Sequence, residues 1–383
     1  MSKKVAIVGA GPAGCMTACS LNKNFEITIF DMSSPLKTLL PTGGGKCNLA
    51  HAEYNFKDLA KNYPRGEKFL YSAFSRFGTT ETLEFFEKIG VETYTREDNR
   101  IFPISNSAKD VRDKILAQLH HCKFQKEKVL SIKPIENGYE LKSDKATYLF
   151  DYIVVATGGK NGYELLHKIG HNFNKPYPSL VGLKTAPCHK ELQGITVQNC
   201  IISFNKNKYY GNILFTDNGI SGPAIFELSS INAKQAFPYT ISIDFLPQEV
   251  DWQNLFNKNP QKHLSNLLSE FLPKSLINHM LHIYNISPEQ KCCMVNSNTK
   301  VLVNKFIHDY KIDITGTRKD GEIVTCGGLL LDEFNPKTLE SKHAKNIYAC
   351  GEVLDIDGFC GGFNLQACWT TGDMVADSIN SEI

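Results

Sequence analysis

The chain of 383 residues has almost no net charge, no long apolar run and no paired-cysteine motif. Each absence excludes something. A formal charge of +2 gives no electrostatic case for binding nucleic acid or a membrane surface. No apolar run approaches the roughly 20 residues of a membrane span. The twelve cysteines are scattered, without a CxxC pair or a zinc spacing. They read as reduced thiols packed as small hydrophobes, and the expectation is a cytoplasmic protein without a metal site. No internal repeat or low-complexity linker interrupts the chain. The opening "MSKKVAIVGAGPAG" joins a positive start to an apolar run, but glycines break that run at once, so a signal peptide is not expected. What is present is ordinary globular composition, 42% hydrophobic and 21% charged, in a chain long enough for more than one core.

The first thirty-one residues carry the densest signal. A short apolar strand runs into Gly9, Gly11 and Gly14 in the pattern GxGxxG, with Pro12 and Ala13 inside it, and a second apolar strand ends at Asp31. The first glycine suits a tight turn, the second the close approach of a pyrophosphate, the third helix–strand packing. The helix start offers free N–H groups and a positive dipole end. Asp31 is placed to accept hydrogen bonds from a ribose. The combination predicts a dinucleotide.

Later stretches choose between dinucleotides. "FDYIVVATGG" is another buried strand running into glycines, with Ala156, Thr157 and Gly158 at its mouth. Near the end come Gly351 and Glu352 after a strand, then Gly361 and Gly362 opening a helix. That order suits FAD. Glu352 is a ribityl candidate, and Gly362, Phe363 and Asn364 are candidates to face the flavin ring, where a helix N-terminus stabilises negative charge.

With these residues in view, the sequence resembles the bacterial NAD(P)/FAD-dependent oxidoreductase family that includes aminoacetone oxidase-like and bile-acid 4,6-dienone reductase-like flavoproteins. The resemblance covers nearly the whole chain. It rests on "VGAGPAG", "TGGGKCN", "NRIFPISNSAKDV", "ATGG", "PSLVGLKT", "LFTDNGISGPAIFELSS", "TCGGLLLDEFNPKTLESK" and "GEVLDIDGFCGGFNLQACWTTG". It implies an α/β fold: a discontinuous Rossmann-like FAD-binding domain (1–185 and 335–383), an inserted antiparallel β domain (186–248 and 311–334) and a small helical subdomain (249–310). It also adds Val129 to the cofactor-binding set. One departure is Asp217, where family members usually carry histidine.

Local patterns agree with that division. The stretch Leu192 to Phe245 alternates as antiparallel strands do, the stretch from Asp251 to about Tyr310 is helical with Pro273 as a break, and strands return from Lys311. In "PTGGGKCN", Gly43, Gly44 and Gly45 let backbone lie against a cofactor, Lys46 could meet phosphate or substrate charge, and Asn48 closes the segment. Cys47 has no second cysteine in "NLAHAEYN" beyond it, so a redox disulfide at the flavin is not expected; it reads as a small packed residue beside the cofactor.

Only one GxGxxG is present, so NAD(P)H is expected only as a transient electron donor. The predicted activity is hydride transfer between FAD and a small organic substrate lying between the FAD domain and the inserted β domain. Arg100, Asp217, Ser221 and Asn364 are the candidate catalytic groups, each with a structural alternative as a paired charge or a turn residue. No nucleic-acid or membrane partner is favoured. The competing readings are an FAD-dependent tRNA-modifying enzyme and a non-catalytic FAD-bound sensor.

Overall fold

The computed structural model describes residues 2–318 and 324–382. The chain divides into two compact units, Met1–Tyr177 with Val324–Ile383, and Pro178–Ile323.

The first unit is built on a five-stranded parallel sheet. Its centre is β1 (Lys4–Val8), followed by α1 (Pro12–Ser20) and β2 (Glu26–Phe30). The strand order is Ile347–Ala349, Tyr152–Val155, β1, β2, Lys123–Gln125. Val5 to Val8 are all buried, as a strand covered on both faces requires. The closing helix Phe363–Asn380 packs on α1 at very short range. A Cβ at Gly372 would come within 2.5 Å of the Ala13 carbonyl oxygen, the Thr17 hydroxyl donates to the Gly372 carbonyl at 3.0 Å, and the Ser20 hydroxyl donates to Asp373 at 2.7 Å.

A three-stranded meander, Val129–Ile135, Gly138–Ser143 and Thr147–Phe150, also belongs to this unit, and the sequence reading did not single it out. The strand Val324–Leu329 falls here too, whereas the sequence reading put it in the inserted domain. The cause is packing against residues before the insertion: a Cβ at Gly327 would lie 2.5 Å from the Lys175 carbonyl oxygen.

The second unit is a closed six-stranded antiparallel barrel, in the order Leu183–Ala186, Gly219–Ser221, Asn207–Thr216, Thr196–Phe204, Tyr239–Asp244, Tyr310–Thr317. The first and last of these strands pair to close it. Alternation announces the strands but not the closure. Four helices, Trp252–Lys258, Leu264–Leu268, Lys274–Ile283 and Ser297–His308, pack into the barrel's own core, where Ile213, Ile241 and Phe245 share one cluster with Leu267, Met280 and Phe306. The helical stretch is therefore part of the barrel unit. Pro273 caps the start of Lys274–Ile283 and separates it from Leu264–Leu268. The strand run expected from Lys311 passes through 319–323, which lie outside the described residues. Among the described residues no helix is long and apolar enough to cross a membrane.

Candidate functional site

The glycine turn after β1 sits where the sheet order reverses, with β2 on one side of β1 and Tyr152–Val155 on the other. Open α/β sheets bind ligands at such a point. Gly9 and Gly14 are fixed by the protein itself. A Cβ on Gly9, at φ +114°, would lie 2.2 Å from the Ala156 carbonyl oxygen, and one on Gly14 would lie 2.0 Å from that of Gly9. Gly11 is different. Its backbone is ordinary, φ −77°, and a Cβ there would meet only the Thr38 hydroxyl, at 4.0 Å. Pro12 opens α1, Ala13 follows, and the first N–H groups of the helix lack intrahelical partners. The turn thus leaves an open cradle beside anion-binding N–H groups.

Asp31 ends β2, and its carboxylate is already at work. One oxygen accepts the Ala10 N–H at 2.8 Å; the other accepts the Ser33 N–H at 2.7 Å and the Ser33 hydroxyl at 2.8 Å. It ties the loop after β2 to the phosphate turn. It also lines a hollow of about 230 Å³ with Ser33, Ser34, Pro35, Phe124, Gln125 and Lys126.

Beyond the strand Tyr152–Val155 come Ala156, Thr157 and Gly158. A Cβ on Gly158, at φ +74°, would meet nothing within 4 Å. The Thr157 hydroxyl is buried without a partner. Gly351 lies over Ala13, since a Cβ on it would come within 2.7 Å of the Ala13 Cβ. Next to it, Glu352 accepts the Thr325 N–H at 2.5 Å. Burial pushes the Glu352 carboxyl up to about 7, with the nearby Asp357 charge adding to the rise and the Thr325 and Gly159 N–H groups opposing it. The folded protein therefore holds this proton more tightly than the unfolded chain does. Stability from this group is complete below the unfolded carboxyl range and is lost as pH rises towards about 7. Glu352→Gln should flatten the loss of melting temperature between pH 5 and pH 8 in protein stripped of cofactor; a slope identical to wild type would show that Glu352 titrates normally.

The segment "PTGGGKCN" bends through a run of left-handed residues: Gly43 at φ +58°, Gly44 at +67°, Gly45 at +84° and Cys47 at +63°. A Cβ on Gly43 would sit 2.8 Å from the Asn48 nitrogen and 2.9 Å from the Phe102 ring; on Gly44 it would meet nothing within 4 Å. Cys47 is fully buried, and burial pushes its thiol up to about 12, outweighing a hydrogen bond from Thr42. It is a poor nucleophile in this setting. Lys46 is exposed, while Asn48 is buried with its side-chain oxygen unpartnered. Val129 is a buried residue at the start of the meander, opposite Ser143.

At the mouth of the closing helix, His51 stacks on Phe363 with ring centroids 4.5 Å apart, and its Nδ1–H donates to the Gly361 carbonyl at 3.1 Å. The Tyr63 hydroxyl donates to the Phe363 carbonyl at 2.6 Å. Asn364 has its amide occupied: the oxygen accepts the Gly358 N–H at 2.9 Å and the nitrogen donates to the Gly358 carbonyl at 2.8 Å. The buried Asp357 is ion-paired with Arg65. Arg100 pairs with His51 in a three-stranded antiparallel sheet of Ala50–His51, Arg100–Pro103 and Thr93–Thr95, and lies 3.7 Å from Asp98 and 3.9 Å from the exposed Cys360 sulfur. The structure thus gathers Arg100 and Asn364 around this mouth, with His51, Tyr63 and Arg65 as neighbours the sequence did not single out.

Asp217 and Ser221 belong to the second unit. Asp217 sits in the tight turn before the strand Gly219–Ser221 and pairs with Arg318 at 2.7 Å. The side-chain oxygens of Thr216 and Asn218 on either side of it are buried and unpartnered.

In the first unit, open space at Gly11 and Gly158 and unpartnered oxygens on Asn48 and Thr157 fit an extended dinucleotide with hydroxyl and ring groups to satisfy. A family model described as HI0933-like protein Rossmann domain matches residues 3–378. The chain is 27% identical over 392 residues to a ribosomal RNA dihydrouridine synthase of Escherichia coli (95% of each chain). It is 27% identical over 401 residues to a 3-dehydro-bile acid delta(4,6)-reductase of Clostridium scindens (96% of this chain, 97% of the relative). Among solved structures, 3-ketosteroid delta1-dehydrogenase from Sterolibacterium denitrificans shares the fold at a TM-score of 0.52 and 12% identity, covering 99% of both chains.

Proposed function

The chain belongs to the family of HI0933-like proteins with a Rossmann domain, and from that premise we propose that it is an FAD-dependent oxidoreductase that reduces a carbon–carbon double bond conjugated to a carbonyl in a small organic molecule. The observation that carries the cofactor is the cradle at Gly11, open at the switch point beside the start of α1. The names of the two curated relatives support the bond type: a delta(4,6)-reductase and a dihydrouridine synthase both saturate a double bond next to a carbonyl.

When bound, FAD supplies hydride exchange. The chain's own residues do the rest. The N–H groups of Ala13 and Gly14 hold the pyrophosphate. Asp31 holds the phosphate turn in shape and offers the remaining lone pair of its Oδ2 to the ribose. Thr157, Asn48 and Glu352 receive the hydroxyl-rich middle of the cofactor. Gly361 and Gly362 bring the start of the closing helix to the ring. Arg100, with its positive charge beside the Cys360 loop, binds and polarises the substrate carbonyl, the group on which negative charge develops. NAD(P)H visits as electron donor, and the enzyme works in the cytoplasm.

The name of the E. coli relative supports a second reading, in which the double bond lies in a uridine of RNA. Against it stands the near-zero net charge, since phosphate neutralisation supplies most of such affinity. Anaerobic stopped-flow spectroscopy separates the readings. NADH or NADPH should bleach the flavin, and a conjugated enone should restore its colour within a turnover. Restoration by unmodified ribosomal RNA but by no enone would favour the second reading. Bleaching by amines, with no reoxidation by either acceptor, would defeat both.

A further inference from the structure

The second unit contains a cluster unconnected with the features above. His189, immediately before the helical turn Lys190–Leu192, and His279, on Lys274–Ile283, are both more than nine-tenths buried. Their rings stand edge to face with centroids 4.4 Å apart. The Glu191 carboxylate enters between them: one oxygen is 2.7 Å from His279 Nδ1 and 3.7 Å from His189 Nδ1. Each of the three residues offers one ligand atom, and these atoms lie within 4.8 Å of one another.

We propose that His189, Glu191 and His279 form a binding site for a divalent first-row transition ion of the zinc type. Two imidazole nitrogens and one carboxylate oxygen are a donor set such ions take, with water in the remaining position. Hydrogen bonding alone leaves the cluster incomplete. The 3.7 Å gap between His189 and Glu191 is too long for a hydrogen bond, so the Glu191 oxygen that lies 2.7 Å from His279 does not also bond His189. An ion at the point of convergence would engage all three groups at once. The outer contacts suit it: with the ion on Nδ1, His189 carries its proton on Nε2 and donates it to the Tyr310 hydroxyl oxygen, which lies against it. Metal-bound histidines are usually oriented by such a partner. Glu191 is more than half exposed, which gives the ion an entry path. No local pattern announces the cluster, because the two histidines come from distant segments that only the fold joins.

A second cluster serves as a control. His171, Glu333 and His343 also lie close together, but there His171 and Glu333 are already engaged by hydrogen bonds and the His343 ring is exposed, 3.8 Å from Glu333. His171 bonds Glu333 at 3.0 Å and Ser341 at 2.8 Å, and Glu333 also accepts the Asn172 N–H and side-chain amide, each at 2.8 Å.

The test is calorimetric titration of the chelator-treated full-length protein with Zn²⁺, repeated with Co²⁺ so that the absorption spectrum reports the ligands. One ion per chain should bind. Glu191→Gln, at an exposed position the fold tolerates, and His279→Gln should each weaken binding at least ~100-fold, the upper end of what even an outer-sphere partner contributes. Glu333→Gln should leave binding unchanged. Zn²⁺ should raise the melting temperature of wild type and not of Glu191→Gln. The proposal is overturned if wild type shows no saturable binding, if Glu191→Gln binds as wild type does, or if Glu333→Gln is the variant that loses the ion.

Discussion

Gly11→Val should purify folded and colourless. Three glycines share the turn after β1, and the structure separates their duties. Side chains at Gly9 and Gly14 would strike backbone carbonyl oxygens at 2.2 and 2.0 Å, so substitutions there break the packing of strand on helix and the protein is lost. At Gly11 the backbone is ordinary, and the only atom within reach is the Thr38 hydroxyl at 4.0 Å. The apoprotein therefore has room for the Cβ of a valine. The pyrophosphate proposed for that space does not. Affinity for FAD should fall at least ~100-fold, about 2.8 kcal/mol, while circular dichroism and the melting temperature of the apoprotein stay near wild type. Titration with FAD, followed by quenching of flavin fluorescence, reads the first quantity. A variant that binds FAD normally would remove the cradle from the phosphate path, and a variant that fails to fold would show that the space is not there.

How much of this was legible in sequence depends on sequence distance. The β1–turn–α1–β2 unit lies within thirty-one consecutive residues, and its glycines are required by local geometry, so the motif and the structure agree in detail. Pro273 is legible for the same reason: its ring and missing N–H act on its immediate neighbours. The barrel's strands are legible from alternation, but its closure depends on Leu183–Ala186 meeting Tyr310–Thr317 across more than one hundred intervening residues, and no local pattern encodes that. The same limit hides the Arg65–Asp357 pair, 292 residues apart, and the convergence of His189 with His279. A different failure concerns Asp31 and Asn364. Residue type and position suggest groups turned towards a ligand, yet both make internal hydrogen bonds first: Asp31 to Ala10 and Ser33, Asn364 to Gly358. A polar side chain that orders a binding loop and one that touches the ligand look alike until the loop's own N–H groups are counted.

Gly362 offers the sharpest stability test, because a matched control exists in the same unit. Gly362 precedes the closing helix at φ +101°. A Cβ there would sit 2.4 Å from the Ala50 carbonyl oxygen and 2.6 Å from its carbon. Ala50 cannot give way easily: it is fully buried and paired with Ile101. The Leu49 carbonyl beside it accepts the Trp369 indole N–H from within the same helix at 3.0 Å. Gly170 has nearly the same conformation, φ +106°, with nothing within 4 Å of its Cβ position. Gly170→Ala therefore carries only the left-handed backbone penalty, about 1–2 kcal/mol. Gly362→Ala carries that penalty plus a backbone collision, and should lose roughly 4 kcal/mol or more, in the range reserved for severe packing faults. The helix mouth should suffer with it, since the Tyr63, His51 and Phe363 contacts all hang on the position of this one residue. Urea unfolding of both alanine variants as apoproteins makes the comparison free of cofactor binding. If Gly362→Ala proves no less stable than Gly170→Ala, the close approach of the closing helix to the Ala50 strand is not what fixes the mouth of the site.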